Sequence, residues 1–172
     1  MLMAVFCLGA SLIGINAQEK DWANLQRYAQ QNAELPKPDK NEKRVVFMGN
    51  SITEGWVNTH PDFFKSNGYI GRGIGGQTSY QFLVRFREDV INLSPALVVI
   101  NAATNDIAEN TGAYHEDRTF GNIVSMVELA KANHIKVILT TTLPAAAFGW
   151  NPSIKDAPQK IASLNARLKA YA

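Results

Sequence analysis

The chain has 172 residues, 46% of them hydrophobic and 19% charged, enough for a single domain with a sizeable buried core. Its net charge is +2, and Lys and Arg are scattered rather than gathered into a basic stripe or an aromatic-interleaved patch, which argues against a nucleic-acid partner. No internal repeat or low-complexity tract interrupts the sequence.

Residues 1–15 are apolar and uncharged and run into Ile15-Asn16-Ala17, a small residue closing a short apolar run, as at a signal-peptide cleavage site. The run is short for a membrane span. We therefore expect a signal peptide over residues 1–17, cleavage near Ala17, a mature protein in the periplasm or secreted, and no stable membrane anchor. One feature departs from this pattern: no Lys or Arg precedes the apolar run. The plainer alternative is a buried core segment. Cys7 is the only cysteine, and Phe6 stands where a lipoprotein signal wants a small residue. Cleavage would leave no thiol for a disulfide, a thiolate nucleophile or a metal site.

Residues 21–35 read as a helix and Pro36-Lys37-Pro38 as a connector, so residues 18–43 lead into a main domain over residues 44–172. Residues 44–48, 97–101 and 135–142 are short, continuous apolar runs rich in β-branched residues, the pattern of strands covered on both faces. Residues 69–72 form a weaker strand. Helical spacing places Leu83, Phe86 and Val90 on one face, then Phe120, Ile123, Val127 and Ala130, then Ile161, Leu164, Leu168 and Tyr171, with Asp156 as N-cap and Pro158 in the first turn of the last helix. Alternating strands and helices of these lengths imply an α/β fold with a parallel sheet between helical layers.

Three polar stretches follow these strands: Gly49-Asn50-Ser51-Ile52-Thr53, Gly73-Ile74-Gly75-Gly76-Gln77-Thr78 and Ala103-Thr104-Asn105-Asp106. Each would sit at the carboxyl edge of the sheet, where open α/β folds bind ligands. Together they offer a hydroxyl, a glycine N–H and a side-chain amide, the parts of a serine acyl-transfer site with an oxyanion hole. Each has a plainer reading alone: Ser51 as a helix cap, Asn105 and Asp106 as an Asx-turn. Gly71, Gly73 and Gly76 also spell G-x-G-x-x-G, but a dinucleotide site needs an acidic residue ending the next strand, and that strand ends at Asn101-Ala102-Ala103.

These blocks resemble the SGNH or GDSL-type serine esterases and acylhydrolases. Gly49-Asn50-Ser51-Ile52 is similar to the family's first block, Gly76 before Gln77-Thr78 to its oxyanion-glycine block, and Ala103-Thr104-Asn105-Asp106 to its Gly-x-Asn-Asp block. The resemblance spans residues 44–144 and implies a three-layer α/β/α fold with a flavodoxin-like parallel sheet. It implies Ser51 as nucleophile, an oxyanion hole from the N–H groups of Ser51 and Gly76 and the side chain of Asn105, and no cofactor or metal. Small-molecule or carbohydrate esters, acetyl esters first, are the implied substrates. A lysophospholipid is the competitor within the class, and a non-catalytic ligand-binding domain of the same fold the alternative outside it.

The sequence departs from the family pattern in three ways. Asn50 replaces an Asp, Ala103 replaces a Gly, and the Asp-x-x-His block that supplies the general base does not occur. Of the histidines, His134 precedes a strand at the opposite edge, His60 follows the nucleophile helix, and His115 lies in the loop after Asn105. Residues 135–142 would also form a bare apolar edge, which native sheets avoid. The expectation is a chain cut before its last strand and its Asp-x-x-His.

Overall fold

The computed structural model describes residues 21–172. The expected signal peptide, with Cys7, lies outside them.

The first strand, β1 (Val45–Gly49), stops at a glycine for a steric reason. A Cβ at Gly49 would meet Thr53 Oγ1 at 1.9 Å, so only glycine lets the chain turn straight into α2 (Ser51–Thr59). After α3 (Pro61–Ser66) comes β2 (Tyr69–Gly73), whose Gly71 and Gly73 do similar work. Cβ atoms there would fall 2.2 Å from Val57 Cγ2 and 2.3 Å from Glu54 N, so these glycines let α2 press against the strand. Gly71 is thus a packing residue within β2, paired with Phe47, and not part of a phosphate loop.

The remaining elements are α4 (Ser79–Asp89), β3 (Leu97–Ile100), α5 (Thr104–Ile107), α6 (Glu116–Ala132), β4 (Lys136–Leu139) and α7 (Ala157–Tyr171). The four strands are parallel in the order β2-β1-β3-β4, with Val45 beside Tyr69 and Leu97, and Leu97 beside Lys136. This register aligns the strand ends, so the segments after β1, β2 and β3 emerge at one edge.

Val46, Met48, Val98 and Ile100 are buried on the sheet face that packs against α4 and α6. Phe47 points to the other face, where Trp56 of α2, Phe63 and Phe64 of α3 and Tyr69 of β2 form a cluster of edge-to-face, tilted and stacked rings. Such aromatic pairs add about 0.5–1.5 kcal/mol each beyond the area they bury. On the same face Ile138 is 49% exposed, so β4 is an open edge among the described residues.

Several expectations need correction. Residues 21–35 are not one helix but a 3-10 turn (Leu25–Arg27) and α1 (Ala29–Glu34). Asn24 sits at φ 55°, and the Asp21 carboxylate accepts hydrogen bonds from the N–H groups of Leu25 and Gln26. Strand β4 spans four residues rather than residues 135–142. Asp156 makes no side-chain cap; its carboxylate pairs instead with Lys160 at 3.0 Å. The buried face of α4 carries Phe82, Arg85, Phe86 and Asp89, and Leu83 only packs at its margin.

Candidate functional site

The sharp turn from β1 into α2 fixes Ser51. Asn50 is the N-cap: its side-chain Oδ1 accepts the Ile52 N–H at 3.0 Å. Ser51 is therefore the first helical residue and not the cap, and it is exposed. The amide in place of the family's carboxylate keeps the acceptor and gives up the charge. As in any first helical turn, the Ser51 N–H has no acceptor within the helix.

The segment after β2 lies against Ser51. A Cβ at Gly75 would be 3.8 Å from Ser51 Cβ and 3.1 Å from Glu54 Oε2. The Gly75 N–H donates to Glu54 Oε2 at 2.8 Å, and Arg27 donates to the other carboxylate oxygen at 3.1 Å. That contact locks the turn and leaves the next amide free: among the described residues the Gly76 N–H has no acceptor. Gly76 is at φ +75°, a conformation that L side chains rarely adopt.

Asn105 opens from β3 through Ala103, which stands at φ 82°, ψ −18° as the N-cap of α5. The left-handed region favours glycine, which explains the family's Gly there and makes Ala103 a strained residue. The buried Asn105 amide donates one N–H to the Gln77 carbonyl at 2.9 Å. Ser51, the Gly75-Gly76 turn and Asn105 thus follow three adjacent strands at one edge of the sheet, with Gly75 beside Ser51 and the Asn105 amide bonded to Gln77 O, the residue after Gly76.

Two further residues support the site, and only the second of them lies within one of the sequence motifs. Arg85 is fully buried on α4 and spreads its guanidinium beneath the site. Nη2 donates to Gly49 O at 3.0 Å, Nη1 to Arg72 O at 3.0 Å and to Asp89 Oδ2 at 2.8 Å, and Nε to Gln77 Oε1 at 2.6 Å. Burial pushes the Arg85 pKa down, and the Asp89 carboxylate opposes that. The second support is Asp106, which accepts from the Ser79 N–H at 2.9 Å, from Ser79 Oγ and from Thr119 Oγ1 at 3.3 Å. It ties α5 to the first turn of α4 and makes no side-chain hydrogen bond to Asn105 among the described residues. Burial pushes the Asp106 pKa up against these hydrogen bonds. With Asp106 and Gln81 holding the Ser79 and Thr78 amides, the first turn of α4 is already supplied with acceptors, which argues further against a phosphate there.

No imidazole hydrogen-bonds Ser51 Oγ among the described residues. His60 Nδ1 lies 2.9 Å from Thr59 Oγ1, His134 precedes β4 at the far edge, and His115 lines a separate cleft of about 260 Å³ with Trp22, Tyr80 and Arg118. No group of three side chains suited to a metal occurs among the described residues.

The model of the GDSL-like lipase/acylhydrolase family matches residues 47–172, from β1 through α7. The chain belongs to that family. A GDSL-like lipase from Bacteroides thetaiotaomicron VPI-5482, known from its crystal structure, is 79% identical, with a TM-score of 0.86 over 87% of this chain and 73% of that one. A lipase/acylhydrolase from Enterococcus faecalis shares the fold at 23% identity, with a TM-score of 0.60 over 76% and 72%. An uncharacterized lipoprotein of Bacillus subtilis (strain 168), YqeF, is 32% identical over 58% of this chain and 48% of its own length. The chain spans about half the length of that curated relative. Family membership carries the expectation of an ester hydrolase acting on small-molecule esters, and the sheet agrees with the expected α/β class.

Proposed function

We propose that the protein is an exported serine esterase that cleaves small acyl esters, acetyl groups on carbohydrate foremost, through an acyl-Ser51 intermediate. One observation carries the reading. Ser51 stands against a turn whose Gly76 N–H has no acceptor among the described residues, with the Asn105 amide one residue further along the same turn, at Gln77 O.

In this reading the Ser51 hydroxyl oxygen bonds to the ester carbonyl carbon, and the carbonyl oxygen takes up negative charge. The N–H groups of Ser51 and Gly76 and the second amide hydrogen of Asn105 stabilise that charge, helped by the first turn of α2. The bond from the acyl carbon to the alcohol oxygen then breaks and the alcohol leaves with the proton that Ser51 gave up; water adds to the acyl carbon, releasing the acid and restoring the Ser51 hydroxyl. Export is supported by the apolar run over residues 1–15, and the relative in Bacillus subtilis is called a lipoprotein.

A second reading, a non-catalytic ligand-binding domain, is favoured by the absence of an imidazole at Ser51 Oγ among the described residues. Hydrolysis of p-nitrophenyl esters of rising acyl length separates the two. The esterase reading expects turnover that is greatest for acetate and lost in Ser51→Ala. Equal rates for wild type and Ser51→Ala would leave the binding domain, and a preference for long acyl chains would point to lipid substrates.

A further inference from the structure

Trp150 is 61% exposed, yet it is firmly held. Its indole Nε1–H donates to Asn110 Oδ1 at 2.9 Å. Its ring leans on Phe148, with centroids 5.3 Å apart and planes at 41°, and Phe148 is part of the buried core. The next residue, Asn151, donates its amide to Ala108 O at 2.9 Å. The turn that carries Trp150 is therefore pinned to the loop after α5, with an indole face left open to water.

Asn110 uses both ends of its amide. Its Oδ1 accepts from the indole, and its Nδ2 donates to Gly76 O at 3.0 Å. Trp150 is thus two hydrogen bonds from the turn whose N–H serves the proposed oxyanion. Asn110 bonds the edge of the ring, and the residues that follow Trp150 in the chain include Asn151 and Ser153, which bond to each other, so polar groups are set close to an apolar face. An alkyl chain would want a continuous apolar wall here. A sugar ring wants what is present: its C–H groups carry slight positive charge and sit on the negative face of an aromatic ring, while its hydroxyls bond to amides. A ring already fixed in place loses little entropy on binding.

We propose that Trp150, braced by Asn110, is the platform for a pyranose ring on the alcohol side of the scissile ester. The inference rests on the reading of Ser51 as an esterase nucleophile, and it makes Trp150 a specificity-determining residue and Asn110 a positioning residue.

The direct test is titration of the protein, carrying ¹⁵N-labelled tryptophan indoles, with xylohexaose, a neutral unacetylated chain of pyranoses. The Trp150 indole signal should shift saturably while those of Trp22 and Trp56 stay in place. Binding should be lost in Trp150→Ala and partly kept in Trp150→Phe. The ratio of kcat/KM for acetylated xylohexaose to that for p-nitrophenyl acetate should fall about tenfold in Trp150→Ala, the size of one lost aromatic contact, and less in Trp150→Phe. An unmoved Trp150 signal at saturating sugar, a shift seen only with monomeric lysophosphatidylcholine, or an unchanged ratio would each overturn the platform. If the wild-type protein hydrolyses neither ester while the indole shift persists, the esterase reading fails and the sugar site stands.

Discussion

Arg85 Nη2 donates a hydrogen bond to the carbonyl oxygen of Gly49 at 3.0 Å, two residues before Ser51, from a side chain with no exposure to solvent. The same guanidinium reaches Arg72 O at the end of β2 and the Gln77 side chain beside Gly76. One cation therefore braces the strand ends that carry the hydroxyl and the glycine turn.

Truncating Arg85 should be severe. Arg85→Leu leaves the Asp89 carboxylate buried without its partner, and breaking a buried pair in this way costs about 3–5 kcal/mol. Urea unfolding should show that loss, and the double variant Arg85→Leu/Asp89→Leu should recover part of it. A single variant within 1 kcal/mol of wild type, on the order of a surface change, would contradict the role given to Arg85.

Asn105→Ala should lower kcat about 10²–10³-fold with little change in KM, because in the proposed oxyanion hole the amide would bond most strongly when charge develops on the ester oxygen. It also strips the Gln77 carbonyl of its donor, so stability should fall by about 1–3 kcal/mol. A sharp rise in KM at constant kcat would make Asn105 a ground-state binding residue instead.

Ala103→Gly should stabilise the fold. Ala103 holds φ 82° as the cap of α5, and relief of a left-handed alanine amounts to about 1–2 kcal/mol before the extra chain entropy of glycine is deducted. A thermal scan should show Tm rising by about 2–4 °C, the shift that roughly 1 kcal/mol produces in a chain of this size. A lower Tm would mean that the alanine methyl group contributes packing that outweighs the strain.

Asp106 gives a pH signature. Its folded-state pKa is raised by burial, so the native state binds a proton more readily than the unfolded chain. Its contribution is fully present below the ordinary carboxylate pKa and is lost as pH rises through the raised folded value. Asp106→Asn cannot titrate, so the stability advantage of wild type over that variant should shrink as pH is raised from about 4. A gap that widens with pH would show that the hydrogen bonds from Ser79 and Thr119 outweigh desolvation.

The sheet and the three polar stretches were legible because each rests on a local pattern: an apolar run ending in glycine, a glycine cluster, an Asn after a strand. Ala103 was legible as a departure, but its cost needed the observed φ. Arg85 was not legible, because an arginine and an aspartate four apart on a helix read as a solvated pair until tertiary packing buries them. The face of α4 shifted from Leu83 to Phe82 and Arg85 for the same reason. Trp150 was hidden in a connection without periodicity, and only its bond to Asn110, 40 residues away, ties it to the site.

The claim that Ser51 is the nucleophile is tested most directly by covalent trapping. The protein expressed from its complete gene should be treated with a fluorophosphonate and its peptides mapped by mass spectrometry. The account expects a single phosphonyl adduct on Ser51, absent from Ser51→Ala. An unlabelled wild-type Ser51 under conditions that label a known serine esterase, or an adduct that survives in Ser51→Ala, would contradict it.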